Sequence, residues 1–366
     1  MCAPDQGALF GLSADKEGEK TMKRVIRTTA LAAAFAVALA GCGKSGGNEG
    51  AQSSPEAAQT PAAVQKTDIK VVLDWSPNTN HTGLYVAKAK GYFAEKGLNV
   101  DIIQPGAGGA DAMVASGAAD FGVSYQEGIT QARTQSVPIV SIAAIIQHNT
   151  SGFASPAAKN IKKPKDFEGK TYGGWGSPAE NAMIDSLMQT DKADPSKVKI
   201  VNMGDADFFT AVKRDIDFAW IYYGWTGIES ELRKEPLNMV YLTDYSKQLD
   251  YYTPVLATSE KVIKEKPELV KSFLEAASKG YQFAIDKPEE AAGVLSEAVP
   301  ELDKNLVLAS QKWLSPKYKD DAPRWGEQKK EVWENYAKWM LDHKLLEKSL
   351  EADKAFTNEF LPASGK

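Results

Sequence analysis

A carboxylate, an indole and a cluster of amides crowd into Asp74-Trp75-Ser76-Pro77-Asn78-Thr79-Asn80-His81-Thr82. An apolar run over residues 69–73 leads in, and a helical pattern leads out, so the cluster sits where a strand gives way to a helix N-terminus. A carboxylate accepts N–H groups, an indole offers a stacking face, and amides do both. Such a set can hold a small polar aromatic molecule. The same residues also make a plain capped turn with Trp75 packed inward, and the segment alone does not choose between the two.

Other predicted strand ends carry similar chemistry. They present Tyr125, Gln126 and Glu127, then Trp175, Ser177 and Glu180, then Asp205, then Tyr222, Tyr223 and Trp225. The set is aromatic and acidic, and no Lys or Arg stands among it. A site for sulfonate, nitrate or phosphate is expected to show Arg or exposed backbone N–H groups, so an anion is disfavoured. A flat amine-bearing heterocycle fits better: its ring stacks between aromatic faces and its amine donates to a carboxylate. Asp74, Trp75, Asn80, His81, Tyr125, Glu127, Trp175, Glu180, Tyr222, Tyr223 and Trp225 are the expected ligand contacts. Trp75 and one tyrosine are the expected stacking faces, with Glu180 and Asp74 as acceptors. Strand alternation turns Tyr222 and Tyr223 to opposite faces, leaving open which one meets the ligand.

Catalysis finds less support. The chain has three His, at 81, 148 and 343, without metal spacing, and two Cys, at 2 and 42. Neither a P-loop nor a dinucleotide fingerprint is present; the glycines at 106, 108 and 109 follow a strand but lack the spacing. No metal, cofactor or catalytic residue is expected. The net charge of −5 argues against a nucleic-acid partner.

The elements that must position these residues alternate. Strands are predicted over 69–73, 100–103, 121–125 and 139–146, with helices over 82–96, 110–118 and 129–135 between them. A second set has strands over 171–175, 198–202, 217–222 and 239–242 and helices over 178–190, 208–213 and 225–234. This spacing predicts two α/β lobes with mainly parallel sheets. After residue 256 helical patterns dominate, over 267–285, 288–298, 305–314 and 326–343. Trp325, Trp333, Tyr336 and Trp339 form an aromatic stripe expected to be core. Residues 67–152 with 255–366 are read as lobe 1 and 153–254 as lobe 2, crossing near 149–154 and 252–255, with the ligand cleft between them.

Upstream, Met22 opens a basic segment followed by an apolar run over 30–40 that is too short to span a bilayer. It ends in Leu39-Ala40-Gly41-Cys42, which resembles the bacterial lipobox. Residues 1–41 are read as upstream residues plus a signal peptide, Cys42 as the lipidated residue, and 42–66 as a flexible Gly/Ser/Ala/Gln/Pro-rich tether. An exported protein anchored to the outer face of a membrane is expected.

The segments LDWSPNTNHTGLYVAKAKGYFAEKGLNVDI (73–102), GGWGSPAENAMI (173–184), DFAWIYYGWTGIE (217–229) and SEKVIKEKPELVKSFLEAASKGYQFAIDKPEEAA (259–292) carry a resemblance. Over almost all of 68–362 the chain resembles the substrate-binding lipoproteins of ABC transporters, in the branch that includes sulfonate and nitrate binders and the yeast pyrimidine synthase of thiamine biosynthesis. The resemblance implies a type II periplasmic-binding-protein fold, with two α/β lobes, a hinge and a helical C-terminal part returning to lobe 1. It is strongest to members that capture the thiamine precursor N-formyl-4-amino-5-aminomethyl-2-methylpyrimidine. It implies a monomeric receptor that delivers an aminopyrimidine to a transmembrane permease and its ATPase. A flavin or small-sulfonate receptor, or a pyrimidine synthase using a histidine in the segment of His81, are the alternatives; the synthase's cysteine-rich iron-binding motif is absent here.

Overall fold

The computed structural model describes residues 66–363, except 107 and 205. The segment read as a signal peptide, Cys42, the stretch read as a tether as far as residue 65, and Asp205 lie outside the described residues. Ten strands form two five-stranded sheets: β1 Thr67–Val72, β2 Leu98–Ile103, β3 Phe121–Ser124, β4 Ile139–Ala144, β5 Ser151–Pro156, β6 Thr171–Gly174, β7 Lys199–Asn202, β8 Phe218–Tyr222, β9 Leu237–Tyr241 and β10 Val255–Ser259. The helices are α1 Thr82–Ala89, α2 Tyr92–Glu95, α3 Gly109–Ser116, α4 Gln126–Thr134, α5 Pro178–Thr190, α6 Phe208–Arg214, α7 Ile228–Arg233, α8 Glu260–Glu265, α9 Pro267–Asp286, α10 Pro288–Ala298, α11 Lys304–Leu314, α12 Lys330–Asp342 and α13 Ala352–Ala355. None of them is long and apolar enough to cross a membrane.

The first sheet has the order β2-β1-β3-β10-β4 and the second β7-β6-β8-β5-β9. Both are mixed, where the sequence pattern predicts mainly parallel sheets. In each, the first three strands are parallel, and one antiparallel strand is wedged before the last: β10 between β3 and β4, β5 between β8 and β9. The wedged strands are the ones the chain enters directly after passing from one sheet to the other. No α-helix separates either from the strand before it, β4 before β5 and β9 before β10, which is why strand-helix alternation does not reveal them.

This topology sets where side chains gather. The carboxyl ends of β1, β3, β6 and β8 and the amino ends of β5 and β10 fall on facing edges of the sheets. The turns after the parallel strands and the two crossings therefore share one space.

Burial holds each sheet between helices. Beside the first sheet, Leu84, Val86 and Ala87 of α1 meet Phe273, Leu274 and Ala277 of α9, with Phe121 and Phe273 stacked at 3.9 Å. In the second, Phe153 touches Phe167, Tyr172 and Phe218 edge-on. The aromatic stripe is core, as its spacing predicts. It is shared out: Trp325 packs with α1 and α9, Trp333 under the other face of the first sheet, and Tyr336 and Trp339 in the core of the second. Each such ring stabilises the fold by roughly 1.5–3 kcal/mol. One helix, α12, thus packs into both cores.

Candidate functional site

Among the described residues, seven large apolar side chains are exposed, and four of them line a single cavity of about 590 Å³ between the sheets: Trp75 (55%), Trp175 (49%), Tyr125 (44%) and Tyr222 (38%). Exposed aromatic rings cost solvation free energy, so a concentration of them in a concave space marks a binding surface. Each stands at the carboxyl end of a parallel strand: Trp75 after β1, Tyr125 after β3, Trp175 after β6, Tyr222 closing β8.

The turn after β1 is built by its own amides. Asn78 caps the helical turn Thr79–His81, its side chain accepting the Asn80 N–H at 2.9 Å and donating to the Ser76 carbonyl at 3.0 Å. Tyr281 of α9 donates to the Asn80 carbonyl at 2.9 Å. Asp74, Trp75, Asn78 and Asn80 line the cavity from this side. Asp74 Oδ1 is 2.7 Å from His81 Nε2, and His81 is fully buried.

On the other side, Gly173-Gly174-Trp175-Gly176-Ser177 wraps around Glu180. Its carboxylate accepts the Tyr172 hydroxyl at 2.5 Å and the backbone N–H groups of Trp175, Gly176 and Ser177 at 3.1, 2.8 and 2.7 Å. A Cβ on Gly174 would stand 2.0 Å from Glu180 Oε1, and Gly176 has a φ of +90°. Both positions need glycine. Trp175 leans on Trp220 at 5.3 Å, and Trp220 also faces the cavity, its buried Nε1 without a hydrogen-bond partner. After β8 a π-helical turn, Tyr223–Gly227, brings Trp225 to the cavity.

The predicted contacts thus divide. Asp74, Trp75, Asn80, Tyr125, Trp175, Tyr222 and Trp225 come together on the cavity wall; His81, Glu127, Glu180 and Tyr223 do not. Glu180 is consumed by its loop and has no oxygen left for a ligand. Tyr223 leans on Trp313, ring centroids 5.3 Å apart, and donates to Glu231, so of the two tyrosines it is Tyr222 that lines the cavity. Glu127 accepts from Tyr336 at 3.2 Å. His81 is sealed under its turn. His148 stands at the first crossing, 2.7 Å from Asp250. Sequence reasoning missed Asp207, Trp220 and Glu229, which also line the cavity. Asp207 caps α6, and its place before Phe208 was a signal for a helix start at the cleft.

The cavity is acidic. Among the described residues its charged lining side chains are Asp74, Asp207 and Glu229, with no Lys or Arg. Removal from water, with the nearby charges of Glu127, Asp111 and Asp74, pushes the Tyr125 phenol up to about 12, so it stays a donor. Tyr222 is raised as well, because its hydroxyl, 3.4 Å from Thr253 Oγ1, is held away from bulk water even though part of its ring is exposed; burial raises the Asp111 carboxyl, which Asp74 raises further. Burial pushes Glu127 up to about 7, Tyr336 opposing and Glu180 reinforcing it. Among the described residues no three His, Cys, Asp or Glu side chains are grouped to hold a metal.

A family model described as NMT1/THI5 like matches residues 78–291. The chain belongs to the NMT1/THI5-like family. The matched span runs from the first site turn through both sheets to α10. A formylaminopyrimidine-binding protein of Halalkalibacterium halodurans is 29% identical over 79% of this chain and 89% of its own length. A 4-amino-5-hydroxymethyl-2-methylpyrimidine phosphate synthase of Legionella pneumophila is 25% identical over 81% and 93%. The ligand-binding component of an ABC-type import system from Staphylococcus aureus superposes with a TM-score of 0.63 at 14% identity, covering 82% of this chain and 99% of that one. The NMT1/THI5-like chain therefore has the two-lobed periplasmic-binding-protein fold expected from its sequence.

Proposed function

We propose that this chain is the extracytoplasmic solute-binding receptor of an ABC importer and that it captures an aminopyrimidine of the thiamine-precursor type. The observation that carries the reading is the cavity wall: four exposed aromatic rings from two sheets around Asp74, with no cation among the lining residues. Residues 67–152 with 255–366 and residues 153–254 act as the two lobes, closing so that a ring lies between Trp75 or Tyr125 on one side and Trp175 or Tyr222 on the other. Asp74 accepts the exocyclic amine. The relative from H. halodurans supports the pyrimidine, and the lipobox-like segment supports an anchor at Cys42.

Calorimetry on the purified chain tests the ligand. N-formyl-4-amino-5-aminomethyl-2-methylpyrimidine should bind one to one, and Trp75→Ala should weaken it at least about tenfold, by loss of stacking and burial. Heat with riboflavin or an alkylsulfonate and none with any aminopyrimidine sinks the ligand assignment. Radiolabelled palmitate should enter the chain in a bacterial host and be lost in Cys42→Ser; equal labelling of the variant removes the anchor.

The relative from L. pneumophila raises the enzymatic alternative. Here His81 is fully buried and both its ring nitrogens have partners, which favours the receptor.

A further inference from the structure

His81 Nδ1 lies 3.1 Å from the backbone nitrogen of Asn78. A backbone N–H only donates, so Nδ1 must present its lone pair. The ring proton is then on Nε2, which faces Asp74 Oδ1 at 2.7 Å. The imidazole is held as a neutral donor, its tautomer fixed by the turn's own backbone.

The contact between His81 and Asp74 is therefore a hydrogen bond and not an ion pair. Asp74 Oδ1 is anchored, and Oδ2 has no hydrogen-bond partner among the described residues. The other two charged lining residues differ. Glu229 is bound by the Arg233 guanidinium at 2.7 Å, and the charge of Arg233 also reaches Asp207. Among the described lining residues, Asp74 is the carboxylate without a cation beside it.

We propose that His81 is a positioning residue that sets specificity: as a neutral donor it pins Asp74 Oδ1 and leaves Oδ2, uncompensated, to receive an N–H group of the ligand. The site then selects rings with an exocyclic amine or a protonated ring nitrogen and rejects isosteric rings without one. The inference rests on the aminopyrimidine-receptor reading above.

The test compares 4-amino-2,5-dimethylpyrimidine with 2,5-dimethylpyrimidine by calorimetry. The wild type should prefer the amine-bearing ring at least about 100-fold, because its analogue, once the cleft closes, leaves the Asp74 carboxylate shut off from water and unpaired. His81→Leu should cut that preference to below about tenfold while binding of 2,5-dimethylpyrimidine stays within about threefold. His81→Gln, whose amide can donate to Asp74 and accept from Asn78, should restore most of it. Equal weakening of both rings in His81→Leu, or no rescue by His81→Gln, overturns the proposal. A ligand-free readout separates this from failure of the receptor reading. Nitrogen-15 spectra of the full chain at pH 7.5 should show the neutral Nε2–H tautomer of His81, with a shift of that nitrogen in Asp74→Asn. An Nδ1–H tautomer or an imidazolium overturns the proposal even if neither pyrimidine binds.

Discussion

Both oxygens of Glu180 are taken by its own loop, and the arrangement has a measurable cost of disruption. In Glu180→Gln, whichever way the amide turns, its nitrogen faces backbone N–H donors. The variant should lose about 2–4 kcal/mol in urea unfolding. It should also weaken the ligand by freeing Trp175; an unchanged unfolding midpoint contradicts this account. Glu127 makes a pH prediction. An acid whose folded pKa lies above its unfolded value holds its proton more tightly when folded. Its stabilising contribution is complete below the ordinary carboxylate range and is lost as pH rises through about 7. Thermal melts should fall between pH 5 and 8 by an amount of order 1–3 kcal/mol, and Glu127→Gln should remove that fall. At this scale the strand-end rule anticipated that Asp74, Trp75, Tyr125, Trp175 and Tyr222 would share one cavity wall. It did not anticipate that Glu180 and His81 would stand off that wall, because local capping competes for the same side chains. Ser177 and Glu180 have the capping-box spacing, and Asn78 and His81 repeat it. A polar residue three positions into a helix serves its own backbone before it serves a ligand.

At the scale of elements, the site turn depends on how closely α1 lies on α9. A Cβ on Gly280 would come within 2.0 Å of the Gly83 carbonyl oxygen, and one on Gly83 within 2.3 Å of the Tyr281 ring. Backbone touches backbone there, and Tyr281 reaches the Asn80 carbonyl from the same contact. Gly280→Ala should force the helices apart, costing about 1–3 kcal/mol. It should also weaken ligand binding, since α1 begins where the site turn ends. A variant with wild-type stability and affinity would show that the helices can part freely. Helices such as α5 and α10 were legible to the residue, because Pro at the first position and a steady apolar face mark them. The strands β5 and β10 were not. Ser151-Gly152-Phe153-Ala154-Ser155-Pro156 has little strand propensity, and its small residues are needed because Tyr241 and Val240 pass within 3 Å of where a Gly152 Cβ would be.

For the whole molecule, two features join the lobes besides the chain crossings. The first is α12, whose rings enter both cores. The second is His148, which at the first crossing donates to Asp250 and reaches Asp321 at 3.3 Å. The Asp250 hydrogen bond, with both carboxylate charges, pushes His148 up to about 9. A base with a raised folded pKa contributes stability that is complete below its ordinary value near 6.5 and vanishes as pH rises through about 9. Melting temperature should therefore decline from pH 7 to 9.5 in the wild type and decline less in His148→Gln. Parallel curves would show that the pair adds nothing. The lobe plan was visible in the alternation of elements, but these ties were not, since each joins residues about a hundred positions or more apart in sequence.

The placement of β10 has a consequence for the order in which the chain can become a protein. Strands β3 and β4 are made early, yet neither touches the other; the strand that completes both is Val255–Ser259. Until those residues are available, β3 and β4 each carry an unpaired edge, and the first sheet has a gap at its interior. A long loop must close before the sheet pays back any of its entropy, which makes completion a late, non-local event. A polypeptide still missing its last third is thus held short of the native state by topology alone. Chains stopped at residue 250 should aggregate through those edges. Adding back residues 251–366 as a separate fragment should recover soluble, ligand-binding protein, and recovery without that fragment would contradict the argument.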